Sequence, residues 1–131
     1  MTPNQGSGAS QGVEDSIVLA GLLADPRATK DTIPQVLQAY DQVRRPFSQD
    51  IVRRSHRSGM MYCFQDGHLK DVSAEDSAAG KIPLEQLEAL RDDIAELLEW
   101  TWSTSAMGDR DRAVKLLHDM LEVAEPSKAK L

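Results

Sequence analysis

Residues 2–26 read TPNQGSGASQGVEDSIVLAGLLADP, a Gly-rich opening that runs directly into an apolar segment. A proline, an asparagine and two glycines fall within the first nine positions, and this composition predicts a loop over residues 1–9. The apolar residues that follow predict a helix over residues 10–24. Because they occupy more than one face, we expect this helix to be buried on most sides. Glu14 and Asp15 fall in its first turns, where the helix dipole favours negative charge.

Apolar periodicity predicts four more helices, the first of them over residues 32–45. The ring of Pro46 disfavours helical geometry at the preceding residue, so we expect a break or a kink at Arg45–Pro46 and a third helix from there to Tyr62. A fourth helix is predicted over residues 83–102 and a fifth over residues 109–123. No segment of adequate length alternates apolar and polar residues with period two, so the chain is predicted to be all-α with about five helices.

Composition divides the chain into consecutive segments. They are a Gly-rich loop and buried helix at 1–25, a helical segment with an Arg-Arg-Pro kink at 26–64, a linker at 65–82, a C-terminal helical pair at 83–124 and a flexible tail at 125–131.

The bulk composition excludes several classes of protein. The formal net charge of −6 argues against nucleic acid and anionic membranes as generic partners. No apolar run approaches the roughly 20 residues that span a bilayer, and the N-terminus lacks the cationic lead of a signal peptide. Cys63 is the single cysteine, which excludes an internal disulfide framework and fits a reducing compartment. We therefore expect a soluble, cytoplasmic protein.

The Gly-rich opening is the first candidate site. Unpaired N–H groups and the helix dipole both favour an anion or an electron-rich oxygen at a helix N-terminus. Gly6 and Gly8 would let the backbone approach a ligand closely, and Gly8 is expected to need a positive φ. The alternative is a mobile tail with an ordinary helix cap at Ser7 or Ser10. No strand precedes the loop and no Gly-Lys-Ser/Thr follows, which excludes a dinucleotide fingerprint and a phosphate loop.

Three segments resemble one enzyme family. Residues 2–15 fit the pattern T-P-x-x-G-x-G-x-x-x-x-x-E-D, which is similar to the third flavin-contacting motif of FAD-dependent aromatic-ring monooxygenases, in particular the salicylate hydroxylase-like branch. Residues 37–59 resemble the Y-x-x-x-R-x-P segment of that family and the long helix after it. Residues 96–117 resemble its closing Trp-x-Trp helix and final helix.

The resemblance implies a cofactor site and a reaction. It implies that Pro3 borders the flavin ring and that backbone N–H groups at the following helix start face the pyrimidine oxygen. The cofactor-binding residues implied are Pro3, Gly6, Gly8, Ala9 and Ser10, with no catalytic residue and no metal ligand. The implied reaction is reduction of FAD by NAD(P)H and hydroxylation of a phenolic or similar ring, with the aromatic substrate and the choice between NADH and NADPH left open. Many members have His where this chain has Asn4.

Other parts of the family's pattern are absent. The N-terminal G-x-G-x-x-G unit, the Gly-Asp pair before the loop and the middle substrate sheet have no counterpart in the sequence. We therefore expect the C-terminal helical part of an α/β FAD-binding monooxygenase fold without its Rossmann-like and substrate sheets. Such a piece could arise from a truncated gene, a wrong start or a split gene, and we expect it to be inactive alone. The alternative is a non-catalytic helical interaction module whose apolar faces need a partner. The DNA upstream of Met1 discriminates between the two.

The arginine-rich stretch 44–57 carries five Arg and one Asp. It is interpreted as a solvated helical face with salt bridges to acidic helices, and a patch for phosphate or an acidic partner is the alternative. Arg45 is interpreted as a packing or ion-pair residue, and Arg54 and His56 are expected on the charged face.

The remaining candidates have structural interpretations. His56, His68 and His118 are too widely spaced to predict a metal site. Cys63, beside two aromatic residues, is expected to be a half-buried small hydrophobe. The tryptophans at 100 and 102 are two apart, so one is expected in the core and the other against a further domain.

Overall fold

The computed structural model describes residues 2–124, and these residues form helices with no strand among them. The helices are α1 (Gly8–Leu23), α2 (Ile33–Tyr62), α3 (Ala74–Ala78), α4 (Leu84–Leu98), α5 (Trp100–Ser103) and α6 (Ala106–Ala124), with 3-10 turns at Pro3–Gln5, Lys30–Thr32 and Gly67–Leu69. The all-α prediction is confirmed. The predicted tail at 125–131 lies outside the described residues. Within the described range, no helix has both the length and the apolar character needed to cross a lipid bilayer.

The helix α2 runs through Pro46, and the break predicted there is wrong. Proline has no N–H for the carbonyl of Gln42 and its ring crowds that carbonyl, at a cost of about 3 kcal/mol. Buried side chains on both sides of the proline, Val36 and Ala39 before it and Ile51 after it, favour helix on each side and offset that cost. The alternative of a kink stays a prediction.

The described residues form two compact units. The first contains residues 2–7 and 50–103, and its buried apolar side chains are Ile51, Met61, Leu69, Leu97 and Trp100. The second contains residues 8–49 and 104–124, and its core is formed by Val18, Leu22, Val36, Ala39, Ala113 and Leu117. The chain passes from one unit to the other after Ser7, inside α2 after Gln49, and after Ser103. The structure thus groups α1 with α6, whereas the predicted segments are consecutive in sequence.

One face of α1 is buried, and the expectation of burial on most sides is wrong. Val18 and Leu22 are fully buried in the core of the second unit. Val13 and Leu23 are 61% and 49% exposed. The apolar residues of α1 occupy more than one face of the helix. Only one of these faces packs against α2 and α6, so the apolar side chains on the other faces remain exposed.

Residues 63–82 follow the end of α2. Cys63 is exposed, which corrects the half-buried position expected for it, because α2 ends one residue earlier. The predicted linker contains a 3-10 turn that buries Leu69 and the short helix α3. Ser73 caps α3, since its Oγ accepts a hydrogen bond from the N–H of Asp76 at 3.0 Å.

Candidate functional site

The residues implied as cofactor ligands are exposed and fall on both sides of the unit boundary. Pro3 and Gly6 belong to the first unit, and Gly8, Ala9 and Ser10 open α1 in the second. Pro3 starts a 3-10 turn that Gly6 closes by donating its N–H to the carbonyl of Pro3 at 2.9 Å. Gly6 has a φ of +64°, whereas Gly8 is helical, so the positive φ expected at Gly8 is found at Gly6 instead.

The N-terminus of α1 can accommodate an electron-rich ligand. The first N–H groups of a helix have no partner inside the helix, and the backbone of Gly8 and Ala9 stands at the exposed start of a 16-residue helix. The first turn holds no carboxylate that would oppose negative charge. A Cβ placed on Gly8 would meet nothing within 4 Å, so there is open space over this backbone. These features fit an electron-rich oxygen of a ligand.

In the first unit, Ser55 of α2 holds both neighbours of Pro3. The Ser55 Oγ donates to the carbonyl of Thr2 at 2.7 Å and accepts from the Thr2 hydroxyl at 2.9 Å. The Asn4 Nδ2 donates to the carbonyl of Ser55 at 2.9 Å. A Cβ on Gly59 would overlap the Asn4 amide group, so the glycine provides the space that Asn4 occupies.

Gln5 adds a second set of bonds in the same unit. Its Nε2 donates to the Ser58 hydroxyl at 3.0 Å and to the carbonyl of Leu97 at 3.2 Å, and its Oε1 accepts from the indole N–H of Trp100 at 3.2 Å. The amide therefore bonds through both of its polar atoms. These contacts anchor the opening segment, and they do not support the alternative of a mobile tail.

In the second unit, Arg44 is buried among acidic side chains, and the solvated position expected for it is wrong. Its guanidinium is 2% exposed and donates to Asp15 at 2.7 Å, to Glu14 at 3.1 Å and to Gln11 at 3.0 Å. Its Nη1 also donates to Asp109. One cation thus ties the first half of α1 to the start of α6. The sequence analysis did not predict this cluster. Its charged residues were nevertheless present in two of the motifs, since Glu14 and Asp15 are the E-D pair and Arg44 is the arginine of Y-x-x-x-R-x-P.

The environment of Arg44 keeps it charged. Burial lowers the pKa of Arg44, but hydrogen bonds to Asp15 and Asp109 raise it, and the net shift is upward. The guanidinium also stacks over the ring of Phe47 at 5.0 Å. Asp109 is shared with Arg112, which adds a second cation to the buried carboxylate. A cation held in this way organises the fold and has no proton to offer for catalysis.

The other arginines of the stretch form ion pairs at the surface, as the solvated interpretation predicts, but these partners lie on α2 itself or just after it and not on the other helices. The pairs are Arg45 with Asp41, Arg53 and Arg54 with Asp50, and Arg57 with Asp66. The hydrogen bond from Arg54, followed by that from Arg53, holds the pKa of Asp50 below its ordinary value. Arg54 also donates to the carbonyl of Glu96. His56 is exposed on the same helix.

His118 and Trp100 occupy structural positions. His118 bonds Asp25 at 2.6 Å, and this bond is the largest cause of the lowered pKa of Asp25. Within the part of the chain that the structure describes, no three potential metal ligands cluster. Trp100 is 7% exposed, which confirms that one of the two tryptophans is in the core. Trp102 is 66% exposed, and its packing against a further domain stays a prediction.

Comparison with known proteins finds relatives of one kind. A salicylate hydroxylase from Pseudomonas putida is 34% identical over 103 residues, which is 79% of this chain and 20% of that protein. The 6-methylsalicylate 1-monooxygenase atA from Aspergillus terreus is 29% identical over 122 residues, which is 92% of this chain and 24% of that protein. The FAD-dependent monooxygenase str9 from Strobilurus tenacellus is 25% identical over 108 residues.

The chain spans about a fifth of the length of these relatives. No family model matches the chain. No solved structure matches it significantly.

Proposed function

The chain is a relative of the salicylate hydroxylase-like FAD-dependent monooxygenases, matching about a fifth of their length, and on that premise we propose that it is the flavin-facing helical segment of such an enzyme. In this proposal Pro3 borders the isoalloxazine ring and Gly6 lets the backbone pass close to it. The N–H groups of Gly8, Ala9 and Ser10 face the pyrimidine oxygen.

The observation that carries the proposal is the open start of α1. Gly8 has no neighbour that a side chain would meet within 4 Å, and the helix behind it directs its positive end to that space. Donors and dipoles that are fixed in advance stabilise charge on a ligand without having to reorganise. The role of these residues is therefore to hold the ring and to stabilise negative charge on its pyrimidine side.

In the whole enzyme, bound FAD would accept electrons from NAD(P)H and activate oxygen for hydroxylation of an aromatic ring. The names of two relatives, salicylate hydroxylase and 6-methylsalicylate 1-monooxygenase, support a salicylate-like substrate. The chain itself contributes positioning and electrostatics. We expect that the 131-residue chain, supplied with FAD, NADH or NADPH and salicylate, gives no hydroxylated product above a protein-free control.

The affinity of this chain for flavin is expected to be weak. An exposed helix N-terminus contributes roughly 0.3–1 kcal/mol toward a negative ligand. The dinucleotide-binding G-x-G-x-x-G unit, which supplies most of the contacts to a bound dinucleotide, is not part of the sequence. We therefore expect no tight flavin complex, and any binding should be visible only to a method that detects millimolar affinities.

Protein-detected NMR provides such a test. The ¹⁵N-labelled chain is titrated with flavin mononucleotide, and the amide resonances of residues 2–10 are expected to move more than the rest. The Gly8→Val variant should lose these shifts, because the branched side chain fills the open space without meeting any protein atom. The matched control is Gly108→Val, which places the same side chain at an open glycine in the first turn of α6.

Two results would contradict the proposal. Flavin-induced shifts that are scattered over α3 and α4, or absent from residues 2–10, would exclude this segment as the flavin contact. Equal shifts in the Gly8→Val and Gly108→Val chains would show that the open start of α1 does not meet the ring. Circular dichroism of both variants tests that each one folds.

The alternative function is a non-catalytic helical interaction module, and the exposed apolar residues favour it. In the second unit Val13 is 61% exposed and Leu37 is 50% exposed, and in the first unit Leu84 is 70% exposed and Trp102 is 66% exposed. Large apolar side chains in such positions are typical of surfaces that need a partner. Sedimentation velocity tests this alternative. Self-association that Leu84→Glu abolishes, combined with no flavin shifts, would favour the module.

A further inference from the structure

The second half of α2 presents three small residues to the opening segment, and together they form what we call the serine–glycine recess (Ser55, Ser58 and Gly59). Ser55 and Ser58 are fully buried, and the recess is occupied by the side chains of Asn4 and Gln5. Because a Cβ on Gly59 would overlap the Asn4 amide group, any larger residue there must displace Asn4.

Helix formation in α2 does not explain why residue 59 is a glycine. Glycine in a helix interior is less favourable than alanine, and Gly59 lies within the last turn of α2 in ordinary helical geometry. Its neighbours 55–62 are all helical, so no turn requires it. The contact with Asn4 is the one feature of the described structure that explains a missing side chain at this position.

The recess fixes the backbone on both sides of Pro3. Thr2 and Asn4 both bond Ser55, one through its carbonyl and hydroxyl and the other through its amide group. Pro3 itself has a constrained φ and is exposed between these two anchored neighbours. The backbone on both sides of the Pro3 ring is therefore held by Ser55 of α2, through Thr2 and Asn4.

We propose that Gly59 is a positioning residue for flavin, which acts by seating Asn4 so that Pro3 is held at the ring; this inference rests on the proposed function. The coupling is short, since Gly59 contacts Asn4 and Asn4 is joined to Pro3 by a peptide bond. An alanine in place of Gly59 would displace the Asn4 side chain and break its hydrogen bond to the carbonyl of Ser55. The backbone would then be held on only one side of Pro3, while the sequence at the N-terminus of α1 stays unchanged.

The test is a double-mutant cycle on Asn4 and Gly59. Apparent dissociation constants for flavin mononucleotide are measured by NMR for wild type, Asn4→Ala, Gly59→Ala and the double variant. We expect each single variant to weaken binding roughly fivefold, comparable with the loss of one hydrogen bond. The double variant should bind like Asn4→Ala alone, because the methyl group that Gly59→Ala adds clashes only with the amide that has been removed. Gly108→Ala, at an open helical glycine, is the control and should bind like wild type.

The outcomes separate this inference from the proposed function. If Gly59→Ala binds flavin mononucleotide with wild-type affinity, the inference is wrong and the proposed function still stands. The same holds if the fold losses in affinity of the two single variants multiply in the double variant. If wild type shows no flavin shifts at residues 2–10, the proposed function fails and the inference fails with it. If Gly59→Ala does not fold, the Asn4→Ala variant tests the inference instead, because it adds no atom to α2. Wild-type affinity for flavin mononucleotide in Asn4→Ala would overturn the inference.

Discussion

Two regions hold the beginning of this chain, and they use different chemistry. In the first unit a neutral anchor binds Thr2, Asn4 and Gln5 through hydroxyl, amide and indole groups. In the second unit a charged anchor binds the first half of α1 through Arg44 and the carboxylates of Asp15, Glu14 and Asp109.

The difference predicts different responses to substitution. A neutral hydrogen bond contributes about 0.5–1.5 kcal/mol net, so losing one group of the neutral anchor should weaken the fold moderately. A buried ion pair contributes little net stability when intact, but removal of one partner leaves an uncompensated charge. The charged anchor should therefore be the more sensitive to substitution.

The largest effect is expected from Arg44→Ala. This variant removes the cation that Glu14, Asp15 and Asp109 share, while Asp109 keeps its pair with Arg112, so the cost should lie near the lower end of the roughly 3–5 kcal/mol that loss of one partner of a buried pair takes. We expect a fall of that size in the free energy of unfolding, measured by urea denaturation followed by circular dichroism. Arg45→Ala is the matched control, because Arg45 is 67% exposed and pairs only with Asp41 among the described residues. Equal losses in the two variants would show that burial of Arg44 does not determine its importance.

A smaller effect is expected from Gln5→Ala in the neutral anchor. The change leaves the indole N–H of Trp100 and the hydroxyl of Ser58 without this partner, at a cost of about 1–3 kcal/mol. Faster solvent exchange of the Trp100 indole proton should accompany it, with the exposed indole of Trp102 as the internal reference. Gln38→Ala, at an exposed position in α2, is the control and should change neither quantity. An unchanged Trp100 exchange rate in Gln5→Ala would exclude the neutral anchor as described.

Acid should weaken the second unit through Asp25. Its pKa is lowered from the ordinary 3.8, chiefly by the hydrogen bond with His118. The folded-state pKa lies below the unfolded one, so the stabilisation is complete above pH 3.8 and is lost as the pH falls through the folded value. We expect Asp25→Asn to be less stable than wild type at neutral pH and the two to converge in acid. A constant difference across this range would contradict the linkage. Asp31→Asn, at an exposed carboxylate, serves as the control.

The smallest effect is expected from Arg53→Ala. Its side chain is 69% exposed and shares Asp50 with Arg54, so the free energy of unfolding should change by less than about 0.5 kcal/mol. Added salt should reduce even that difference, because exposed pairs are screened. A loss comparable with that of Gln5→Ala would show that the exposed arginines contribute more to the fold than ion pairing explains.

Local patterns predicted the helices but not what they bury. The apolar periodicity located α1, α4 and α6 within a few residues, because amphipathic spacing is recorded in neighbouring positions. The break at Pro46 was wrong because the local cost of proline is outweighed by burial on either side of it, which depends on distant residues. For the same reason the apolar composition of α1 did not reveal that Val13 is exposed.

The sequence by itself determined the helical class and, through its three motif segments, the relation to FAD-dependent monooxygenases that the comparisons confirm. Only the tertiary structure decided which charges are buried and which polar side chains hold the opening segment. Arg44 meets Asp109 across 65 positions and Gln5 meets Trp100 across 95. An arginine or a glutamine is exposed by default, since burial of such groups is costly until a partner is in place. The fold brings that partner from a distant part of the chain, so no local pattern of residues predicts the contact.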